Sequence, residues 1–136
     1  MTDSSLFRQE TARRLAVVAD KIVRTYLDRR FVRLNSLASP TYAVMRLTLD
    51  TLARAVEFDR ADLYVSFVQE RVRDLLAQGV SPIAVLAMMD LLSEVVNTWL
   101  TPDQQRIVNS IFEQARLQSQ TLVYVRVMGD VVVEGI

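Results

Sequence analysis

The sequence predicts an all-α single domain of about five main helices. Three observations carry that reading. Apolar residues recur at three- and four-residue spacing along most of the chain, the spacing that lines one face of a helix. Only three glycines and three prolines serve 136 residues, so turns are few and helices long. Serine-proline and threonine-proline pairs mark where helices start. A chain of this length supports one core and buries roughly two-thirds of the surface it exposes when unfolded. The helical domain is placed at 1–128.

The first helix is expected over about residues 5–33, with Leu15, Val18, Ala19, Ile22, Tyr26 and Leu27 facing inward. Arg13, Arg14, Lys21, Arg24, Asp28 and Arg29 stand on the other side. The locally basic stretch Arg24 to Arg33 reads as a solvated face, because no aromatic residues interleave with it as single-strand binding prefers. After a loop at 34–39, Ser39-Pro40 supplies an N-cap and a first-turn proline for the second helix. Met45, Leu49, Leu52 and Val56 are its buried stripe, and Arg46, Asp50 and Arg54 pair along its outer face at intervals of four.

Asp59 or Asp62 is expected to cap the third helix, in which Val65, Val68, Val72 and Leu75 repeat in a seven-residue pattern widened by Tyr64 and Phe67. Gly79 ends it, since the residue after a helix commonly takes a left-handed conformation. Ser81-Pro82 repeats the cap-plus-proline signal, so the third and fourth helices are expected to be close neighbours. The fourth segment, Ile83 to Leu100, is apolar around most of its circumference. Asp90, Ser93, Glu94 and Asn97 form its narrow wet stripe. Such a helix needs cover on several sides, and part of that cover is expected from a second copy of the chain. Thr101-Pro102-Asp103-Gln104 is a capping box. The fifth helix follows through Ile107, Ile111, Ala115, Leu122 and Val125, with Gln114, Gln118, Ser119 and Gln120 thinning its stripe. Leu92, Val96, Ile111, Leu122 and Val125 are the candidate dimer and transmission positions. Residues 129–136, rich in glycine and β-branched valine, read as a linker towards an absent output domain or as a frayed or strand-paired tail.

The chemistry is bounded by two absences: the chain has no histidine and no cysteine. This removes imidazole proton shuttles and metal ligands, thiolate nucleophiles, disulfides, zinc-thiolate sites and His-ligated haem. Net charge is zero, from 16 basic and 16 acidic residues, so no global field draws nucleic acid or an anionic membrane. No apolar run approaches the roughly 20 residues that span a bilayer, and no signal-peptide pattern opens the chain. A cytoplasmic protein without cofactor or metal is expected. Asp90 and Glu94, one turn apart, are the remaining carboxylate pair, and the polar stripe they share explains them by solvation. Met45, Met88 and Met89 are adaptable side chains that suit an irregular core or a pocket. Met45, Tyr64, Phe67, Met88 and Trp99 form the candidate small-molecule cavity.

From Tyr64 to Leu100 the chain reads as a helix, an Ala77-Gln78-Gly79-Val80-Ser81-Pro82 turn and a second apolar helix, with a capped long helix after it. This pattern resembles the amino-terminal sensor domains of RsbR-type stressosome proteins. About forty residues carry the likeness, and the rest of the chain follows it loosely. The resemblance implies a globin-like, haem-free helical fold that dimerises and is joined through its last helix to an antagonist-type output domain, with stressosome partners. Two functions then stand as expectations. One is a non-enzymatic sensory or assembly domain of a bacterial stress-signalling regulator, and the other is a helical effector module for a small apolar ligand.

Overall fold

A computed structural model describes the backbone of residues 3–34 and 41–134 and the side chains of residues 4–30 and 41–123. Five helices follow one another: α1 (Asp3–Leu34), α2 (Tyr42–Glu57), α3 (Ala61–Ala77), α4 (Pro82–Asn97) and α5 (Pro102–Glu134). No strand occurs among the described residues, and the all-α class stands.

The helices close into a ring whose order differs from chain order. α1 packs on α2 and α4, α2 on α3, α3 on α5, and α5 back on α4. The core is continuous through Leu15, Ile22, Leu49, Leu52, Val72, Val85, Val95 and Val108, each exposed by no more than 2%. The α2 stripe is the one the spacing predicts: Met45, Leu49, Leu52 and Val56 are all buried. On α3 the buried line runs through Tyr64, Val68 and Val72, with Val65 half-buried beside it.

Helix ends follow local chemistry. Ser81 accepts from the Ala84 amide at 3.1 Å with Pro82 in the first turn. The capping box closes in both directions: the Thr101 amide donates to Gln104 Oε1 at 3.0 Å, and the Gln104 amide to Thr101 Oγ1 at 3.3 Å. Two other caps differ from expectation. α2 is capped by Thr41, whose hydroxyl accepts from the Val44 amide at 3.2 Å, rather than two residues earlier at Ser39-Pro40; those two residues lie outside the described ones. The N-cap of α3 is Arg60, with no side-chain cap hydrogen bond. Asp62 lies in the first turn and forms an ion pair with Arg60 at 2.6 Å. Asp59 instead ends α2, at φ +52°, with the Arg60 amide donating to the Ala55 carbonyl at 2.9 Å and the Asp59 amide to Val56 at 3.3 Å. These are the two bonds of a Schellman motif. Gly79 closes α3 the same way at φ +88°, with Val80 donating to Leu75 and Gly79 to Leu76.

Two further expectations are corrected, and the last stretch of chain takes helical form. α3 and α4 are joined by a short corner yet share little surface, because α4 turns away to lie between α1 and α5. α5 continues as helix through Gly129 to Glu134, the stretch read from the sequence as a linker or tail, so that whatever role it has, its backbone is helical. One glycine in a helix interior costs only about 1 kcal/mol, and neither proline nor cap interrupts this stretch. Within the basic stretch of α1, Arg30 is 3% exposed. It continues the inward register Ala19, Ile22, Tyr26, so helical geometry turns it into the protein despite its charge.

Candidate functional site

The separation of α3 from α4 leaves a cavity of about 270 Å³ bounded by α2, α3 and α4, with Tyr26 of α1 behind it. α2 contributes Val44, Met45 and Thr48, with the cap residue Thr41 at the edge. α3 contributes Tyr64, Phe67, Val68, Arg71, Val72 and Leu75, and its C-cap Gln78. α4 contributes Val85, Met88, Met89 and Leu92. The volume lies near the lower end of small-molecule sites, about 300 Å³ upward, and the mostly apolar lining with a few polar groups is typical of them.

Burial grades from the inside outward. Tyr26, Tyr64, Val72, Val85 and Met88 are buried, whereas Val44, Phe67, Arg71, Leu75 and Met89 are half-buried, and Thr41 and Gln78 are exposed. The polar groups of α2 are engaged by their own helix: Thr48 Oγ1 donates to the Val44 carbonyl at 2.8 Å, and Thr41 caps Val44. Tyr64 packs edge-on against Phe112 of α5, with ring centroids 5.7 Å apart at 74°. Burial, reinforced by the nearby Tyr26, raises the pKa of its hydroxyl far above the ordinary tyrosine range. Burial also raises that of Tyr26, against the opposing pull of Arg30. Both phenols stay neutral, since desolvation penalises the phenolate. Behind this wall Arg30 Nη2 lies 3.9 Å from Met88 Sδ.

Four of the five residues proposed from sequence therefore meet: Met45, Tyr64, Phe67 and Met88 all line the cavity. Trp99 does not. It follows the α4 C-cap Thr98, beyond the end of a helix that runs about 13 Å on from Met88. There Lys21 Nζ lies 5.6 Å from its ring centroid, and Arg14 Nε donates to its carbonyl at 3.1 Å, fastening α4 to α1. Sequence reasoning missed the lip residues Arg71, Leu75 and Gln78. Their spacing of four and three places them on one face with Phe67, a signal that was available.

The candidate dimer positions fall differently. Leu92, Val96 and Ile111 are exposed by 6%, 0% and 6% within a single chain, so they are core residues rather than a partner surface. α1 and α5, with a smaller contribution from α3, supply the cover that a second copy was expected to give α4. Leu122 is half-buried against the core, and the side chain of Val125 lies outside the described residues.

The carboxylate pair is split. Asp90 receives Arg116 of α5 through two nitrogens, at 3.0 and 3.1 Å, while Glu94 faces Arg29 of α1 at 3.8 Å. Two acids engaged by different helices do not form an acid–base couple. No group of three or more His, Cys, Asp or Glu residues able to hold a metal occurs among the described residues, and no described helix is long and apolar enough to cross a membrane.

In comparisons with protein families, curated proteins and solved structures, the chain matches none. The resemblance to RsbR-type sensor domains accordingly rests on the pattern of residues 64–100 alone.

Proposed function

We propose that the chain is a non-enzymatic, cytoplasmic sensory domain of a bacterial stress regulator, whose input is a small, largely apolar molecule held between α2, α3 and α4. The observation that carries this reading is the cavity itself, on which Met45, Tyr64, Phe67 and Met88 converge. Ligand occupancy bears directly on α3 and α4, and both pack on α5. A change in their spacing therefore reaches the long helix that, by the resemblance, leads to an antagonist-type output domain and stressosome partners. A ligand acts this way only through unequal affinity for two packings of the helices.

The test is solvent extraction and mass spectrometry of protein purified from cells, with a thermal melt in the presence of decanol. An extracted apolar molecule, or a decanol-dependent rise in Tm, supports the reading. Neither effect in wild type would refute it.

The second reading is an assembly domain that works as a homodimer. It is favoured by Leu117, which is 62% exposed on α5. Light scattering coupled to size exclusion should then give a dimer, and Leu117→Glu a folded monomer. A monomeric wild-type chain would dismiss this reading.

A further inference from the structure

Among the described residues lining the cavity, Arg71 is the only charged one. It stands at the outer lip of α3, 35% exposed, one turn from Phe67 on one side and Leu75 on the other. Its ion-pair partner, Asp74, is 3.6 Å from Nη1, well beyond the roughly 2.7–2.9 Å of a strong charge-assisted hydrogen bond, and Asp74 is itself 60% exposed. The fork of the guanidinium is therefore not committed to a bidentate partner, the geometry at which arginine holds carboxylates best. Inward of Arg71 the wall is Val68, Val72, Met88 and Leu92, all buried and apolar.

This gradient selects an occupant. An uncharged alkane leaves the cation at the mouth unused, and a ligand charged at its far end would have to bury that charge among aliphatic side chains, which is strongly disfavoured. An alkyl chain directed inward with one anionic group at the lip satisfies both ends. A volume of about 270 Å³ equals about nine waters of liquid, room for a chain of medium length and not for a two-chain lipid. We infer that the cavity takes a single-chain monocarboxylate, such as a medium-chain fatty acid, with its carboxylate on Arg71 and its chain between Val72 and Met88. This rests on the ligand-binding reading above and adds the chemical class.

The experiment is displacement of dansyl-undecanoic acid from the full chain at neutral pH by decanoate and by decanol, both kept below micelle formation, repeated with Arg71→Gln and Arg71→Lys. Arg71 is partly exposed, and unchanged far-UV circular dichroism and melting would establish that the variants fold. Decanoate should compete about tenfold better than decanol, the factor expected of one charged hydrogen-bonded pair. Arg71→Gln should abolish that preference and Arg71→Lys keep part of it. Equal competition by the two ligands, or a preference that survives Arg71→Gln, would overturn the carboxylate assignment while leaving an apolar site in place. Failure of the probe and of both competitors to bind would overturn the ligand-binding reading and this inference with it.

Discussion

Exchanging the residues at the two left-handed helix ends should move stability in opposite directions. α2 ends on Asp59 at φ +52° and α3 on Gly79 at φ +88°, with the same pair of backbone hydrogen bonds at each. A Cβ built on Gly79 meets nothing within 4 Å, so Gly79→Ala incurs conformational strain and no steric clash. That strain is about 1–2 kcal/mol, offset by roughly 0.4–1 kcal/mol because alanine also restricts the unfolded chain, which leaves a loss of about 1 kcal/mol. Asp59→Gly reverses the conformational balance. It also removes a negative charge from the negative end of the α2 dipole, a gain of about 0.3–1 kcal/mol before solvent screening. Aspartate tolerates the left-handed region better than alanine does and the exposed charge is screened, so both contributions are about halved and the net expectation is a gain of about 0.5–1 kcal/mol. Urea denaturation followed by far-UV circular dichroism measures both changes, and a chain of this size should shift its Tm by roughly 3–5 °C per kcal/mol. Asp59→Asn separates the two contributions, because it removes the charge while keeping a side chain that tolerates the left-handed region. A neutral Gly79→Ala or a destabilising Asp59→Gly would refute the assignment of these corners.

Thr101→Ala should lower stability by about 1 kcal/mol in the same assay, since it leaves the Gln104 amide without its acceptor. Leu92→Arg should unfold the chain rather than release a soluble monomer, because its site is 6% exposed and would bury an unpaired charge; a cooperative melt near that of wild type would contradict this. Acid should loosen the α1–α2 contact. The Tyr42 hydroxyl, 2.5 Å from Asp20 Oδ1, holds that carboxyl below its usual 3.8, with Arg24 adding to the effect. A depressed folded value means stability that is present above the unfolded value and lost as pH falls through the folded one. Tyr42→Phe should therefore flatten stability against pH on the acid side, and identical acid limbs would count against the clamp. In an alkaline spectroscopic titration, Tyr64 and Tyr26 should ionise above the ordinary tyrosine range or only with unfolding, since burial raises both.

Much of the fold was legible because it is local. The α2 register, the Ser81 and Thr101 caps and the left-handed Gly79 depend on residues within about one turn of each other. The cavity was partly legible for a related reason: Tyr64 and Phe67 on α3, and Met88 on α4, each occupy an apolar line whose neighbours are known from spacing. Trp99 was misplaced because it follows the C-cap of α4, where helical spacing no longer tells which way a side chain points. Leu92 and Val96 were misread because an apolar circumference does not say who covers it. The ring order supplies the cover from α1 and α5, and that order is a long-range property. Asp59 was ambiguous because an aspartate between two helices suits the end of one as well as the start of the next. Arg30 was overlooked because its charge was weighed above its register.

The ring also constrains how the protein is made. A ribosome delivers α1, α2 and α3 in the order in which they pack, so this hairpin-like series can assemble as it emerges. The face of α1 that later meets α4 stays uncovered until some sixty residues more have been synthesised and α4 crosses back to fasten Trp99 beneath Lys21 and Arg14. Until then the nascent chain carries an open apolar flank, the kind of surface that chaperones recognise. Arrival of α5, which closes the ring on α3 and α4, is the step at which this polypeptide stops needing protection.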